Sequence, residues 1–502
     1  MYRTHTCGEL RASHAGQTVT LSGWVNRRRD HGGLAFFDLR DRAGIVQITI
    51  NPDLPKETLD IVANVRFEWV LQIEGLVQLR PDGMKNPKME TGEIEIIARE
   101  VKVLNPAKTL PFMVSGDNDL PDENTRLKYR YLDLRRERMT RNMVLRHNVI
   151  KFMRDYLDEK GFIEIETPIM FKATPEGARD YLVPSRLYPG QFYALPQSPQ
   201  QLKQLLMVGG MDKYFQIARC FRDEDLRGDR QPEFTQLDLE MSFVHRDDVL
   251  ALVEDLFTKM IPAVTPHKKL LSSPWPKFSH HEVLEKYGSD KPDLRFGMEL
   301  FELNDIFTKS EFRVFQSTLD AQRGGVIKCI VAPRSADMSR KEVDALTEVA
   351  KTLGAKGMPT LAITAEGVKG SASKFVTPEE VESLKSKTGA KEGDLIVFAT
   401  DERKVANKVL GGLCLWFRDK SDLADKDMMA FAWIVDFPFF AWNEENKAWE
   451  SEHHPFTMPK MEDLPKFDTD PGEVLSDAYD MVCNGYETAS GSIRIHRRDI
   501  QM

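Results

Sequence analysis

Closely spaced β-strands are predicted for the first hundred residues, because apolar and polar side chains alternate there. Val19 and Leu21 alternate with Thr18 and Thr20, and a period of two places successive side chains on opposite faces of a strand. Read as five short strands, this pattern is typical of a small barrel such as the OB-fold, which we predict for residues 1–107. A different small β domain fits nearly as well. The alternation recurs in the stretches 34–40, 45–50, 67–73, 94–96 and 101–103.

Beyond this region, a connector rich in proline leads to helices and then to alternating helices and strands. We predict a hinge at 108–140, followed by an α+β domain in two parts at 141–290 and 426–502. The residues between, 291–425, have strands of their own and a helix that opens at Thr377 with a capping box. They are predicted to form an inserted α/β domain, so the fold class is α+β multidomain. Two helices are predicted around the hinge, at 123–138 and 144–160.

A predicted hairpin, 214–224 and 234–241, carries polar side chains on one face. Asp238 and Glu240 share that face in the second strand, and the same period places Arg222 and Glu224 together in the first. A sheet that faces solvent would look similar, but such a face is usually rich in lysine and threonine. The hairpin is therefore a candidate for a binding site.

Two further elements indicate recognition of anions and metal ions. Ser198 is predicted to cap a helix whose first turn carries Gln200 and Lys203 on one face. Free N–H groups and an ammonium there could receive a carboxylate. Near the end of the chain, Asp480 and Glu487 could hold Mg²⁺ together with polyphosphate oxygens, although acids at a strand end are often structural.

Composition narrows the class of protein. The 502 residues have a net charge of −9, which argues against nonspecific coating of nucleic acid but leaves room for local contact with RNA. The five cysteines lie far apart and form no C-x-x-C pair, so reduced thiols are expected rather than a zinc site or disulfides. We expect no membrane span and no secretory signal, and therefore a cytoplasmic protein.

These residues together resemble the class II aminoacyl-tRNA synthetases. Residues 161–168 resemble motif 1 and residues 221–224, Phe-Arg-Asp-Glu, resemble motif 2. The segments 173–181 and 195–200 are similar to the bacterial aspartyl-tRNA synthetases, and the similarity runs along nearly the whole chain. The resemblance implies a homodimer with an OB-fold anticodon-binding domain, an extra inserted domain and one antiparallel catalytic sheet.

The resemblance also implies a reaction in two steps. Aspartate and ATP give aspartyl-adenylate and pyrophosphate, and the aspartyl group then moves to the 3′ end of tRNA. Catalysis is expected to rest on positioning and on neutralising charge at the α-phosphate, with ATP and Mg²⁺ required.

The family pattern assigns a role to each matching residue. Arg222 and Glu224 are the expected catalytic pair, Phe234 is expected to stack on adenine, and His453 is expected to close over the substrate. The residues expected to bind ATP are Arg222, Asp223, Glu224, Gln231, Phe234 and Glu487, and those expected to bind Mg²⁺ are Asp480 and Glu487. The residues expected to bind aspartate are Glu176, Gln200, Lys203, Arg222, Asp238, His453 and Arg494.

Two cations favour an acidic substrate over its relatives. Lys203 and Arg494 are expected to clamp the side-chain carboxylate of aspartate. A lysine pocket would need an acid at its end, and an asparagine pocket would need neutral partners. A neutral amide would leave buried cations half-paired, at a cost of about 1–3 kcal/mol. A lysyl or asparaginyl relative is therefore disfavoured.

The N-terminal barrel carries the residues expected to contact the anticodon. An aromatic ring beside an arginine suits the stacking of an unpaired base. His31 and Gly83 look like the relaxed form found in relatives that also charge tRNA(Asn), so tRNA(Asp) and also tRNA(Asn) are the expected partners. The full expected set is Arg29, His31, Phe36, Gln47 and Gly83.

Two features depart from the family pattern. Thr488–Ser492 stands where the family has a glycine-rich run, and its side chains are expected to narrow the aspartate pocket. The sequence also stops shortly after Arg494, where motif 3 is expected, so we expect a truncation and weak activity. Two functions stay open: an aspartate-tRNA ligase, which we favour, and a catalytically impaired tRNA-binding fragment or relative.

Overall fold

The structure is a computed structural model that divides into two compact units, Met1–Val149 and Ile150–Met502. The finer domain boundaries predicted at 107, 140, 290 and 425 stay predictions. The residues that the structure describes are 1–31, 34–116, 120–174, 176–225, 230–320 and 324–502.

The first unit contains a closed five-stranded barrel of strand order β1-β2-β3-β5-β4, which confirms the predicted OB-fold. The stretches 94–96 and 101–103 both lie in one long strand, so the alternating stretches form the five strands that were predicted. Apolar side chains such as Val19, Leu21 and Phe37 fill the barrel and are fully buried. The elements are β1 Thr18–His31, β2 Leu34–Asp41, β3 Gly44–Ile50, α1 Lys56–Asn64, β4 Val70–Leu79 and β5 Ile94–Asn105.

The connector after the barrel is more broken than its periodicity predicts. A helix was expected over 123–138, but the chain leaves helical geometry at Tyr129. The buried Arg136 donates hydrogen bonds to the carbonyl oxygens of Met113, at 3.2 Å, and Gly116, at 2.5 Å. The hydrogen bonds of Arg136 to the preceding connector therefore favour a broken helix over 123–138. Its helices are α2 Glu123–Lys128, α3 Arg130–Asp133 and α4 Glu137–Glu159.

The second unit begins with short strands and continues into the polar hairpin. The hairpin strands β9 and β10 pair in antiparallel register, and the short β6 joins β9 in parallel. The elements are β6 Ile163–Glu164, β7 Leu182–Pro184, β8 Phe192–Ala194, α5 Gln200–Val208, β9 Lys213–Phe221, β10 Glu233–Met241, α6 Arg246–Val264, β11 Lys269–Leu270, β12 Lys277–Ser279 and α7 His280–Tyr287.

The residues after α7 fold as a sheet covered on both faces, which confirms the predicted α/β insertion. The strand order is β13-β14-β17-β15-β16. Ile330 on one face packs against the helices α9 and α11, and Ile327 on the other packs against α8 and α10. The elements are β13 Phe301–Glu302, α8 Arg313–Leu319, β14 Val326–Ala332, α9 Arg340–Thr352, β15 Thr360–Thr364, β16 Gly367–Lys369, α10 Pro378–Thr388, β17 Leu395–Asp401 and α11 Arg403–Lys420.

The final residues complete a second sheet. The expectation of one antiparallel catalytic sheet is wrong in this respect: the described residues form the three-stranded sheet β10-β9-β6 and the four-stranded sheet β12-β19-β22-β23. Among the described residues, the two sheets share no strand and are therefore separate. The elements are β18 Met428–Met429, β19 Phe431–Val435, β20 Phe440–Asn443, β21 Ala448–Ser451, β22 Ala478–Cys483, β23 Tyr486–Ser492 and α12 Arg498–Gln501.

Among the helices of the described ranges, none combines the length and apolar character that crossing a lipid bilayer requires.

Candidate active site

The hairpin β9–β10 presents acids toward the site and apolar side chains toward a core. Leu237 and Leu239 pack on a cluster that includes Phe215, while Asp238 lies opposite Gln216 in the register. The position of Arg222 and Glu224 on strand β9 was predicted wrongly, because the strand ends at Phe221. Instead of continuing the hairpin, Asp223 forms an isolated bridge with Arg179.

Helix α5 brings Lys203 to the acidic face of the hairpin. Its ammonium Nζ lies 2.6 Å from Asp238 Oδ1 and 3.3 Å from Glu240 Oε2. Lys203 and Asp238 are both buried, so two acids hold one cation away from water. Among the described residues, nothing pairs with the second oxygen of Asp238, Oδ2. Buried polar atoms without a partner are rare, and this one is free to accept a hydrogen bond from a ligand.

The start of helix α5 differs from the prediction. The helix begins at Gln200 with Pro199 at the capping position, and the Ser198 hydroxyl accepts from the Gln200 N–H at 3.3 Å. The Ser198 hydroxyl donates to the carboxylate of Glu176 at 2.5 Å. Glu176 also accepts from the Thr174 hydroxyl at 2.9 Å. Burial raises the pKa of Glu176, and these hydrogen bonds oppose that shift.

Arg494 reaches the same helix turn from the far end of the sequence. Its Nη2 donates to Gln200 Oε1 at 2.8 Å, and its Nη1 donates to His454 Nε2 at 3.2 Å and to the Ser492 hydroxyl. The guanidinium carbon lies 5.2 Å from the centre of the Phe456 ring. Within the described part of the chain, Arg494 Nε and Gln200 Nε2 have no hydrogen-bond partner. Unpaired donors and an unpaired acid oxygen therefore surround the turn that carries Lys203.

The histidine that contacts Arg494 is His454 and not His453. The His454 ring stacks on Phe456, with ring centres 3.8 Å apart. Burial, assisted by the charge of Arg494, lowers the pKa of His454 to about 3, so the ring is neutral and accepts the hydrogen bond. His453 instead packs edge-on against Phe437 at 5.6 Å, and burial lowers its pKa. The sequence reads His-His at this point and gives no reason to choose between the two.

Of the residues expected to bind ATP, Phe234 lies on β10 and Glu487 on β23, whereas Arg222, Asp223, Glu224 and Gln231 follow the end of β9 and precede β10 in the sequence. The Arg222 guanidinium lies 5.0 Å from the centre of the Phe234 ring, which is a cation–π distance. Both side chains are half-buried, whereas Glu224 and Gln231 are exposed. Asp223 lies 3.9 Å from Arg179 in a solvent-facing ion pair.

The two acids near the end of the chain differ in their surroundings. Burial, together with the charges of Glu487 and Asp290, raises the pKa of Asp480 to about 7. Glu487 Oε2 lies 2.9 Å from the ammonium of Lys291. In the ranges that the structure describes, no group of three or more His, Cys, Asp or Glu side chains is placed to hold a metal ion by itself. Two hard oxygen ligands nonetheless fit Mg²⁺ when phosphate oxygens complete its coordination.

Four of the five residues expected to contact an anticodon cluster on the barrel. Arg29 donates to Asp38 at 2.8 Å and to Gln47 at 3.1 Å, and its guanidinium lies 5.9 Å from the Phe36 ring centre. The His31 and Phe36 rings meet edge-on at 6.4 Å. The cross-strand register of β1, β2 and β3 produces this cluster, because it places Arg29 opposite Phe36 and Asp38 opposite Gln47.

The fifth residue, Gly83, lies on the loop between β4 and β5. It has a φ of +91°, which a side chain would strain. Two acids of this cluster were not predicted, Asp38 and Glu95, and the Glu95 carboxylate accepts from Gln47 at 3.2 Å. The period-two pattern of β2 could have indicated Asp38, because that residue shares a face with Phe36.

Comparison with known proteins matches both parts of this description. Residues 122–502 match the family described as tRNA synthetases class II (D, K and N), and residues 19–104 match the OB-fold nucleic acid binding domain. An Aspartate--tRNA(Asp/Asn) ligase of Dehalococcoides mccartyi strain CBDB1 is 52% identical over 100% of this chain and 85% of its own length. One from Rubrobacter xylanophilus is 53% identical over 100% of this chain and 82% of its own length.

Solved structures support the fold. An aspartyl tRNA synthetase from Entamoeba histolytica superposes with a TM-score of 0.55 at 19% identity, over 99% of this chain and 79% of that one. The family match and the long alignments at about half identity decide membership: the chain belongs to the class II tRNA synthetases of the D, K and N group, and within it to the bacterial aspartate-tRNA ligases.

Proposed function

We propose that this protein activates L-aspartate with ATP and transfers the aspartyl group to tRNA. The observation that carries the proposal is the convergence of Arg494 and Lys203 on one turn of α5. Arg494 donates to Gln200, three residues before Lys203, and both cations add to the electrostatic field at His454. Asp238 and Glu240 neutralise Lys203, but among the described residues no acid forms an ion pair with the half-buried Arg494, so this turn favours a ligand with a carboxylate side chain.

Unpaired atoms in the pocket suit both ends of aspartate. Arg494 Nε and the Lys203 ammonium would receive the side-chain carboxylate, and Asp238 Oδ2 would accept from the α-ammonium. Asparagine would present an NH₂ group to the guanidinium, where donor meets donor. That mismatch costs about 1–3 kcal/mol and gives the selectivity for the acid.

Activation is proposed to occur beside this pocket. The α-carboxylate of aspartate attacks the α-phosphorus of ATP, an O–P bond forms, and the bond to the leaving pyrophosphate breaks. Arg222 would turn from the Phe234 ring to the α-phosphate, and adenine would then stack on the Phe234 ring. Asp480 and Glu487 would hold Mg²⁺, which neutralises charge on the polyphosphate. A terminal hydroxyl of tRNA then displaces AMP from the acyl carbon.

The barrel is proposed to bind the anticodons of tRNA(Asp) and tRNA(Asn). The Arg29 and Phe36 pair suits the stacking of an unpaired base. His31 and Gly83 support the relaxed choice of tRNA, as do relatives whose names include both tRNAs. We also propose a homodimer, because the apolar side chains of Ile163, Ile169 and Met170, in and after motif 1, are exposed. A cytosolic location is proposed because the similar proteins are bacterial tRNA ligases.

The test is aspartate-dependent exchange of labelled pyrophosphate into ATP, followed by charging of the two tRNA transcripts. We expect exchange with aspartate, exchange with asparagine about 5- to 150-fold weaker, and none above background with lysine. Exchange with asparagine instead of aspartate would refute the pocket assignment. Charging of tRNA(Asp) alone would refute the relaxed specificity but keep the ligase. Binding of tRNA without any exchange would identify a catalytically impaired relative.

A further inference from the structure

A cation without a role in the proposed reaction contacts the acid pair, which is the two proposed Mg²⁺ ligands Asp480 and Glu487. The ammonium of Lys291 is 2.9 Å from Glu487 Oε2, and the two side chains are 31% and 32% exposed. The charge of Lys291 also acts on Asp480, against the repulsion from Glu487 and Asp290. One lysine therefore offsets part of the negative charge of three carboxylates.

The backbone that carries Lys291 is fixed on the side of the inserted helices. Gly288 ends α7 in left-handed geometry, and a Cβ placed there would lie 2.1 Å from the carbonyl oxygen of Asn407 on α11. The Lys291 N–H donates to the Ser289 hydroxyl at 3.1 Å. Glycine is therefore required at the close contact, and the loop start cannot move freely.

The other end of the loop is fixed by a buried ion pair. Asp293 is fully buried in its side chain and lies 2.7 Å from Arg295 and 3.1 Å from Arg418 on α11. Because both ends of the loop are held, a rearrangement at the acid pair would involve the Lys291 side chain and not its backbone. A lysine side chain has four rotatable bonds and can withdraw its ammonium by several ångströms.

The contact between Lys291 and Glu487 is not expected to matter for stability. Ion pairs with this exposure contribute about 0–1 kcal/mol. A second pair of the same kind, Lys420 with Glu342, lies 2.8 Å apart at 38% and 45% exposure and joins two helices of the insertion. The two ion pairs differ in where they lie, because Glu487 is one of the two proposed Mg²⁺ ligands whereas Glu342 is not.

We propose that Lys291 is a positioning residue that occupies the place of the metal on the acid pair. Its ammonium pairs with Glu487, and Mg²⁺ must displace it to bind. Once displaced, the ammonium can turn to the polyphosphate that arrives with the metal, near Arg230, whose charge is also close to Lys291. The proposal rests on the proposed ATP and Mg²⁺ site.

The proposal is tested by measuring the affinity of the full chain for Mn²⁺ without nucleotide. The electron paramagnetic resonance signal of free Mn²⁺ reports how much of the ion is bound. Lys291→Met removes the competing charge, so we expect Mn²⁺ to bind at least about three-fold more tightly. Lys291→Gln serves if the methionine variant fails to fold, and Lys291→Arg, which keeps the charge, is expected to bind Mn²⁺ like the unmodified chain. Lys420→Met is the matched control and is expected to change nothing.

A second substitution locates the ion. Glu487→Gln is expected to weaken Mn²⁺ binding and to abolish the gain from Lys291→Met. Unchanged or weaker binding in Lys291→Met overturns the proposal, as does the absence of detectable binding in every variant. If Glu487→Gln leaves binding unchanged, the proposed metal pair is wrong and this inference falls with it. Aspartate-dependent exchange in the unmodified chain would still support the ligase in that case.

Discussion

The pocket around Arg494 and the barrel face around Arg29 use the same types of side chain in different surroundings. On the barrel, Arg29 is 35% exposed and its acid Asp38 is 13% exposed. In the pocket, Lys203 and its acid Asp238 are 7% and 8% exposed. Water still reaches the first pair, which is half-buried, whereas the second has lost its water and depends on protein partners.

The difference separates two kinds of recognition. An exposed face can bind several related bases because stacking tolerates different rings. A buried pocket with unpaired atoms discriminates strongly, because a wrong ligand leaves a charge or donor unsatisfied. We therefore expect substitutions in the pocket to have large effects and those on the barrel to have small ones.

The largest effect is expected for Arg494→Met. The substitution removes a half-buried cation and leaves Gln200 and His454 without their donor. Truncating a group of this kind costs about 4 kcal/mol, so kcat/KM for aspartate in pyrophosphate exchange should fall about 10³-fold. Arg497→Met is the control, because Arg497 pairs with Asp499 at the surface. A loss of less than ten-fold would contradict the assignment of Arg494.

Matched removal of one charge from each pair compares the two regions directly. Asp238→Asn leaves Lys203 with Glu240 alone in a buried site, at a cost of about 3 kcal/mol. Asp38→Asn removes the charged partner of the half-buried Arg29, which keeps Gln47 as an acceptor, and should cost about 1 kcal/mol. The loss in the free energy of unfolding is measured for each variant by urea unfolding, monitored by tryptophan fluorescence. Equal losses would show that burial does not separate the regions.

Removing the proposed stacking ring on the barrel should weaken tRNA binding by an intermediate amount. Phe36→Ala is expected to cost about 1–3 kcal/mol, or about 5- to 150-fold in the KM for tRNA. Exchange of pyrophosphate in the absence of tRNA should be unchanged, because the ring lies on the barrel. A matching loss of exchange would indicate a folding defect and not a binding role.

Acid is expected to destabilise the pocket through His454. Its folded pKa of about 3 lies below the usual value of 6.5. Between these values the unfolded chain binds a proton that the folded chain does not, so stability falls as the pH is lowered below about 6.5. From pH 7 to 5.5 the unmodified chain should lose about 1 kcal/mol that His454→Asn does not lose. His31→Asn, on the exposed barrel face, is the control and should keep the loss.

The smallest effect is expected for the choice between the two tRNAs. His31→Ala should lower charging of tRNA(Asn) relative to tRNA(Asp) by a few fold, because an exposed side chain contributes about 1 kcal/mol or less. Competition between the two transcripts in one reaction measures the ratio. An unchanged ratio would remove His31 from the account of relaxed specificity.

Local patterns predicted much of this protein. The alternation of Val19 and Leu21 with Thr18 and Thr20 predicted a barrel strand, and Thr377 with its capping box predicted the start of α10. Both depend on neighbours within a few residues, where backbone geometry fixes which side chains share a face. The motifs also indicated the family, because each is a short run of sequence.

Only the tertiary structure decided which groups meet. Ser198 donates to Glu176, Arg494 contacts His454 and not His453, and Lys291 lies on Glu487. The sequence contains these residues but not the distances between them, since the partners are 22, 40 and 196 positions apart. Such contacts are set by how helices and sheets pack, where burial and charge act between segments that no local pattern connects.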